Sequence, residues 1–285
     1  MDHATPIDYL LIGHITRDLG PHGPVLGGTA SYSALTAKAF GLRVGLLTSA
    51  HPDEPLLKGS ALDGIEVTCV PALATTTFTN IYEGGHRRQI LNARARRIVV
   101  QDVPRAWSSS PIVHLGPLTQ EVDREMIKRF PGAFVGVTPQ GWLRQWDSDG
   151  VVSMCCWDEA ADILPLATTA VLSREDVHGD LSLIEMYARL APLLVVTRGV
   201  EGADVYLGGA VHHVTTHRVE EVDPTGAGDI FAAAFFAWLH RKRDPIEAAR
   251  LACYIATMSI TRPGLAGVPT PEEVAAALEA LGVKE

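Results

Sequence analysis

Short apolar runs separated by stretches of helical spacing organise the chain. Residues 7–13 form an apolar run closed by glycine, residues 43–48 form another, and residues 29–40 between them carry helical periodicity, so the chain opens as a βαβ unit. Further apolar runs at 112–115, 133–137, 170–172 and 193–197 alternate with helical stretches at 120–130 and 181–190. Strands that are apolar on both faces need helices over both faces. The pattern therefore predicts an α/β fold, a doubly wound, mostly parallel sheet in three layers.

Two stretches break this rhythm. Residues 75–91 read as a β-hairpin with β-branched and aromatic arms around Glu83-Gly84-Gly85-His86, an added flap. Residues 203–214 read as a second hairpin turning at Gly208-Gly209, expected at the sheet edge. The C-terminal third is punctuated by helix starts. Asp244-Pro245 with Glu247, and Thr270-Pro271 with Glu273, place a capping residue, a proline and a carboxylate where the first turn needs them, and predict helices over 245–261 and 271–281. No repeat or long linker divides the 285 residues, so one domain is expected over 1–285.

Composition narrows the function classes. Hydrophobic residues at 47% and charged residues at 20% describe an ordinary globular chain. A formal charge of −9 argues against nucleic acid or an anionic membrane as partner, while leaving room for a nucleotide held by local amides. Cys69, Cys155, Cys156 and Cys253 lack paired spacing and read as reduced core or near-core thiols of a cytoplasmic protein. Residues 1–6 lack the basic-then-apolar order of a secretion signal, and no apolar run reaches the length of a membrane span. His212, His213 and His217 do not suggest a metal, since adjacent histidines on a strand face opposite ways. The five arginines between Arg87 and Arg97 read as solvated hairpin arms.

The sharpest chemical signal is Asp223-Pro224-Thr225-Gly226-Ala227-Gly228-Asp229, followed at once by the apolar helical stretch 230–239. Small residues at a helix start let backbone amides converge on an anion, and the helix dipole adds positive potential there. An aspartate at the lip of such a nest is placed to accept a proton from an attacking alcohol. The alternative is a glycine turn with a carboxylate near a helix start.

The string is similar to the DTxGAGD signature of PfkB sugar kinases of the ribokinase-like type, departing at Pro224. The resemblance implies an ATP-dependent transfer of a phosphoryl group to an alcohol, with magnesium and a monovalent-ion requirement left open. It assigns Asp229 as catalytic base and the amides of Gly226, Ala227 and Gly228 as the anion hole, Gly226 and Gly228 also touching the nucleotide. Asp18 at the end of 13–18, with Gly27 and Gly28, resembles the family's acceptor-binding segments, although an ordinary turn also explains Asp18. The asparagine the family places four residues after Gly28 is Tyr32 here. Thr197-Arg198-Gly199 with Gly202 resembles the segment lining the nucleotide site. Ser173 to Asp176 falls where the family has its NxxE segment, which makes Ser173 a nucleotide contact and Asp176 a magnesium or water ligand.

A narrower resemblance, to myo-inositol kinases of archaeal and plant type, is carried by residues 13–18, by Thr75-Thr76-Thr77-Phe78, and by Gln140-Gly141-Trp142-Leu143-Arg144 with Thr138 in place of an aspartate. It implies Phe78, Gln140 and Arg144 as acceptor contacts beside Asp18 and Asp229, and a small β lid built from about 16–27 and 75–95. Three readings stay open: a myo-inositol kinase, a PfkB kinase for another sugar, sugar acid or nucleoside, and a non-catalytic ligand-binding protein on the same fold. Monomer and homodimer are both compatible with the sequence.

Overall fold

The structure, a computed structural model, describes residues 6–20, 23–83 and 86–283. In chain order its elements are β1 (Tyr9–Ile12), β2 (Thr16–Gly20), β3 (Gly23–Gly27), α1 (Thr29–Ala39), β4 (Val44–Ala50), β5 (Glu66–Pro71), β6 (Thr77–Glu83) and β7 (His86–Ala93). There follow β8 (Ile112–Leu115), β9 (Phe134–Val137), the short pair β10 (Arg144–Trp146) and β11 (Val152–Met154), α2 (Ala160–Ile163), β12 (Thr169–Ser173), α3 (Leu181–Leu190) and β13 (Leu193–Thr197). The hairpin β14 (Ala203–Leu207) and β15 (Ala210–Val214) and the helices α4 (Ala227–Lys242), α5 (Pro245–Ser259) and α6 (Pro271–Ala280) complete the chain.

Nine strands form the main sheet in the order β15-β14-β13-β12-β9-β8-β1-β4-β5. All pair in parallel except at the β14–β15 edge, where both the β13–β14 and the β14–β15 pairings are antiparallel and the hairpin turns at its two glycines as predicted. Side-chain alternation along β1 explains the three layers. Tyr9 and Leu11 join one core with α1, α4, α5 and α6, while Leu10 and Ile12 join the other, under Trp107, Ile163 and Tyr187. From β1 the chain lays β4 and β5 to one side and later returns to lay β8 on the other. The carboxyl ends of β1 and β8 therefore border a topological switch point, where ligands of open α/β sheets bind.

A second, four-stranded sheet in the order β3-β2-β6-β7 fits a lid. Its β2–β6 pairing is parallel and its other two pairings antiparallel. The turn at 84–85 lies outside the described residues.

Two expectations are corrected, and three strands appear that the sequence pattern did not show. The stretch 120–130 holds only a 3₁₀ turn, Arg124–Lys128, because Gln120 sits at φ 58 and the Glu121 carboxylate is drawn back into the preceding loop, where it accepts from the amides of Leu118 and Thr119. β5, β10 and β11 have too few alternating apolar positions to stand out in the sequence. Cys156 is exposed, whereas Cys253 is buried and its thiol is pushed up to about 12 by desolvation. The two capped helices start as expected. Asp244 accepts from Ile246 and Glu247, and Thr270 forms a capping box with Glu273.

Beneath the switch point lies a buried polar chain. The Tyr9 hydroxyl donates to His114 Nδ1 at 2.9 Å, which leaves Nε2–H to donate to Thr138 Oγ1 at 2.9 Å. Burial lowers the His114 pKa from 6.5 to about 3. The folded state therefore refuses a proton that the unfolded chain accepts below 6.5, and stability falls as pH drops from 6.5 toward 3. From this residue alone, unfolding by urea at pH 5 should show a loss of about 2 kcal/mol relative to pH 7. His114→Gln should lack that part of the slope, and equal slopes in the two proteins would refute the assignment.

Candidate active site

Glycines bring the walls of the site into contact. A Cβ on Gly13, just past β1, would stand 2.3 Å from the Gly116 carbonyl oxygen, and one on Gly116 would stand 2.8 Å from the Thr29 methyl group. The ends of β1 and β8 thus close against the first residue of α1. Gly28, at φ 86, caps that helix in a conformation that disfavours a side chain, and its backbone passes Leu118 and the His14 carbonyl.

Asp18 comes from the lid. Thr16 Oγ1 donates to its Oδ1 at 2.9 Å, and a Cβ on Gly27 would lie 2.3 Å from its Oδ2. Asp18 therefore rests directly against the Gly27 backbone. Phe78, its register partner across β2 and β6, is buried.

Asp229 comes from α4. It stands in the first turn of that helix, behind Gly226 in the left-handed conformation at φ 81. Thr29 Oγ1 donates to Asp229 Oδ1 at 2.7 Å, and Ser33 Oγ donates to the Asp229 carbonyl at 3.0 Å. The starts of α1 and α4 are thereby pinned to each other, and one carboxylate oxygen is held in a fixed direction. Sequence reasoning missed both partners, because a threonine and a serine 200 and 196 residues away carry no local signal.

The nest is held by a second set of bonds. Asp223 accepts from the Thr225 amide at 2.9 Å and from the Gly264 amide at 2.8 Å. Tyr32 is buried and its ring packs on Gly226 so closely that a Cβ there would meet it at 2.3 Å. The residue standing where the family has a substrate asparagine thus supports the Gly226 turn at the start of α4.

The remaining residues of the expected site have other partners. Gln140 Nε2 donates to Asp176 Oδ1 at 3.1 Å, and Asp176 Oδ2 accepts from the Ser173 amide at 2.9 Å in a capping box. Gln140 is thus bound to the segment after β12, and Asp176 has one acceptor position engaged on each oxygen. Ser173 and Thr197 end adjacent parallel strands as register partners. Arg198 pairs with Glu201 and, at 3.1 Å, with Asp204. A Cβ on Gly202, at φ 95, would strike the Val214 carbonyl at 2.0 Å, so that glycine closes the β14 hairpin onto the loop containing Gly199. The Arg144 carbonyl accepts from the Gln120 side chain.

At the base of the lid a single histidine ties all three chain crossings. Thr76 Oγ1 accepts from the Ala95 amide and donates to His14 Nδ1 at 2.7 Å, so His14 Nε2–H donates to the Arg96 carbonyl at 2.8 Å. The His14 amide donates to buried Glu121 at 3.0 Å. Burial lowers the His14 pKa, so the ring stays neutral. The Glu121 carboxyl, which burial pushes up, is held below its ordinary value by the His14 and Thr119 amides that donate to it.

Comparison with known proteins agrees with this geometry. The model of the pfkB family carbohydrate kinases matches residues 166–273, which include the nest and Asp229. The cytidine kinase of Thermococcus kodakarensis is 27% identical over 266 residues, covering 86% of this chain and 93% of that protein. The inositol 3-kinase of Zea mays is 29% identical over 134 residues, covering 47% of this chain but only 34% of that protein. Among solved structures, a pyrophosphate-dependent kinase in the ribokinase family, complexed with a pyrophosphate analog and myo-inositol, superposes with a TM-score of 0.80 over 94% of this chain and 99% of that one, at 19% identity. The fold is therefore the ribokinase-like α/β fold. The family match covers less than half of the chain, and the solved structures share its fold.

Proposed function

We propose that this chain transfers the terminal phosphoryl group of ATP to a hydroxyl of a small cyclic polyol or sugar, with myo-inositol first among acceptors. The observation that carries the reading is the junction of α1 and α4. There a carboxylate fixed by Thr29 stands in the first helical turn beside an amide nest that cannot accommodate a side chain at Gly226. An acceptor hydroxyl hydrogen-bonded to Asp229 gives up its proton to that carboxylate as its oxygen bonds phosphorus, and the bond from phosphorus to the departing diphosphate breaks. The amides at the start of α4 stabilise the charge on the transferring group. Asp18, resting against Gly27, orients the acceptor by accepting from its hydroxyls. The four-stranded lid over this floor excludes water, the competing nucleophile.

Among the described residues no group of three or more His, Cys, Asp and Glu side chains could hold a metal ion. A single carboxylate, Asp176, fits magnesium brought in by the donor phosphates and water, since magnesium keeps several waters and binds through one or two carboxylates plus phosphates. When bound it would neutralise charge on the phosphate oxygens. Gln140 and the Ser173 amide hold Asp176 in place for this role.

Support for a polyol acceptor comes from the myo-inositol complex of the structural neighbour and from the inositol 3-kinase relative. A second reading, a nucleoside acceptor, is favoured by the cytidine kinase, whose match spans nearly the whole of both chains. Steady-state kinetics with myo-inositol, ribose, fructose, cytidine and adenosine, each with ATP and with pyrophosphate as donor, separates them. The expected result is the highest kcat/KM for myo-inositol with ATP. A site that hydrogen-bonds each ring hydroxyl rejects acceptors that leave its polar groups unpaired. Any other acceptor at least about tenfold better would overturn the polyol reading, and no turnover with any pair would overturn the kinase reading.

A further inference from the structure

The lid has two faces, and only one looks at the site described above. On β2, Thr16 and Asp18 face the Gly27-Gly28 floor, so Arg17 points the opposite way. There, between the back of β2 and β6 and the turn after β4, lies a cavity of about 240 Å³, lined by Arg17, His51, Glu54, Thr75 and Thr77, with Asp53 at its rim. At roughly 30 Å³ per water it has room for a small organic molecule.

The charged groups lining this cavity do not satisfy one another. Arg17 is half-buried, its Nε is buried with no hydrogen-bond partner, and no salt bridge engages its guanidinium among the described residues. Glu54 is 4% exposed on the same cavity, and its Oε1 accepts only a long bond of 3.3 Å from the Leu56 amide. His51 Nδ1 accepts from the Asp53 amide at 3.1 Å, so its Nε2 is left as a donor. Asp53, 83% exposed, is engaged by Lys58. Arg17 and Glu54 thus line one cavity without pairing, which leaves a cationic and an anionic group for a ligand to bridge.

We propose that this cavity is a second ligand site, for a small carboxylate that also carries a hydroxyl or ammonium donor. The planar guanidinium fork of Arg17 matches the two oxygens of a carboxylate. The facing Glu54 repels a second negative group and accepts from a donor, which selects hydroxy acids and amino acids over dianions. The site borders the lid hinge. The Arg17 amide donates to the Thr76 carbonyl at 2.8 Å, and the His51 amide donates to Thr75 Oγ1 at 3.2 Å. A molecule bridging Arg17 and Glu54 therefore couples a lid strand to the core beside Thr76, and its occupancy biases the lid toward one position.

The test is amide hydrogen exchange on the full chain with glycine, glycolate and malonate as probes. In the parent, glycine or glycolate at about ten times its midpoint concentration should slow exchange at 51–56 and 75–77 by about tenfold, with malonate weaker. Arg17→Met should abolish the slowing. Glu54→Gln, a milder change should the first variant fold poorly, should make malonate the equal of glycolate. Slowing confined to 226–229, slowing unchanged in Arg17→Met, or no response to any probe would overturn the proposal. So would protection at 51–56 that appears without any probe and disappears on dilution, because a second copy of the chain would then fill the cavity. None of these readouts depends on ATP turnover, so they stand apart from the kinase reading.

Discussion

Asp229→Asn is expected to turn over the acceptor at least about a hundredfold more slowly than the parent while folding and binding as before. Asparagine has nearly the shape of aspartate, and its carbonyl oxygen can still accept the 2.7 Å bond from Thr29 Oγ1, so the α1–α4 junction persists. What it loses is the capacity to take up the acceptor proton, and an alcohol that keeps its proton is a poor nucleophile toward phosphorus. The loss should fall on kcat, because the proton moves only as the transition state is reached. Steady-state kinetics beside calorimetric titration of ATP and acceptor make the check. Turnover within tenfold of the parent, or loss of binding with unchanged kcat, would remove Asp229 from the role of base.

The second large effect belongs to the nest. Gly226→Ala places a methyl group 2.3 Å from the buried Tyr32 ring, at a backbone φ of 81 that an L side chain adopts only with strain. Left-handed backbone costs alanine about 1 kcal/mol, and the overlap forces either the ring or the start of α4 to move. On the proposed reading the neighbouring amides are donors of the anion hole, so a displaced start misdirects them. Loss of one such donor costs about a hundredfold in kcat. Gly226→Ala should therefore lower both the melting temperature and kcat. Gly228→Ala is the contrast. A Cβ there has nothing within 4 Å, and the residue lies inside α4, so stability should hold or rise slightly while the methyl group obstructs the space into which the nest opens. If Gly228→Ala loses stability as Gly226→Ala does, or if both keep full turnover, the nest is only a helix start.

Much of the architecture is legible in the sequence because it is written in local patterns. The buried strands are apolar runs, and β1, β4, β8, β9, β12 and β13 all lie where such runs stand, since a strand covered on both faces must be apolar on both. α5 and α6 begin where Asp244-Pro245 and Thr270-Pro271 place caps, because a cap is a bond between residues two or three apart. The nest and Asp229 were legible for the same reason, being seven consecutive residues. The half-polar β5 and the broken helix at 120–130 were not, since the first depends on pairing with β4 and the second on a carboxylate drawn toward His14.

Only the tertiary structure decided which distant side chains meet. It placed Thr29 on Asp229, set Tyr32 under Gly226, and bound Gln140 to Asp176 across 36 residues. It also drew the three lid crossings onto His14 and turned Arg17 to the back of the lid, away from the Asp18 that follows it. The physical reason is one of range. Hydrophobic periodicity, capping and glycine freedom act over a few residues and can be read in order along a chain, whereas a hydrogen bond between residues hundreds of positions apart exists only once sheet order and helix packing have set their distance.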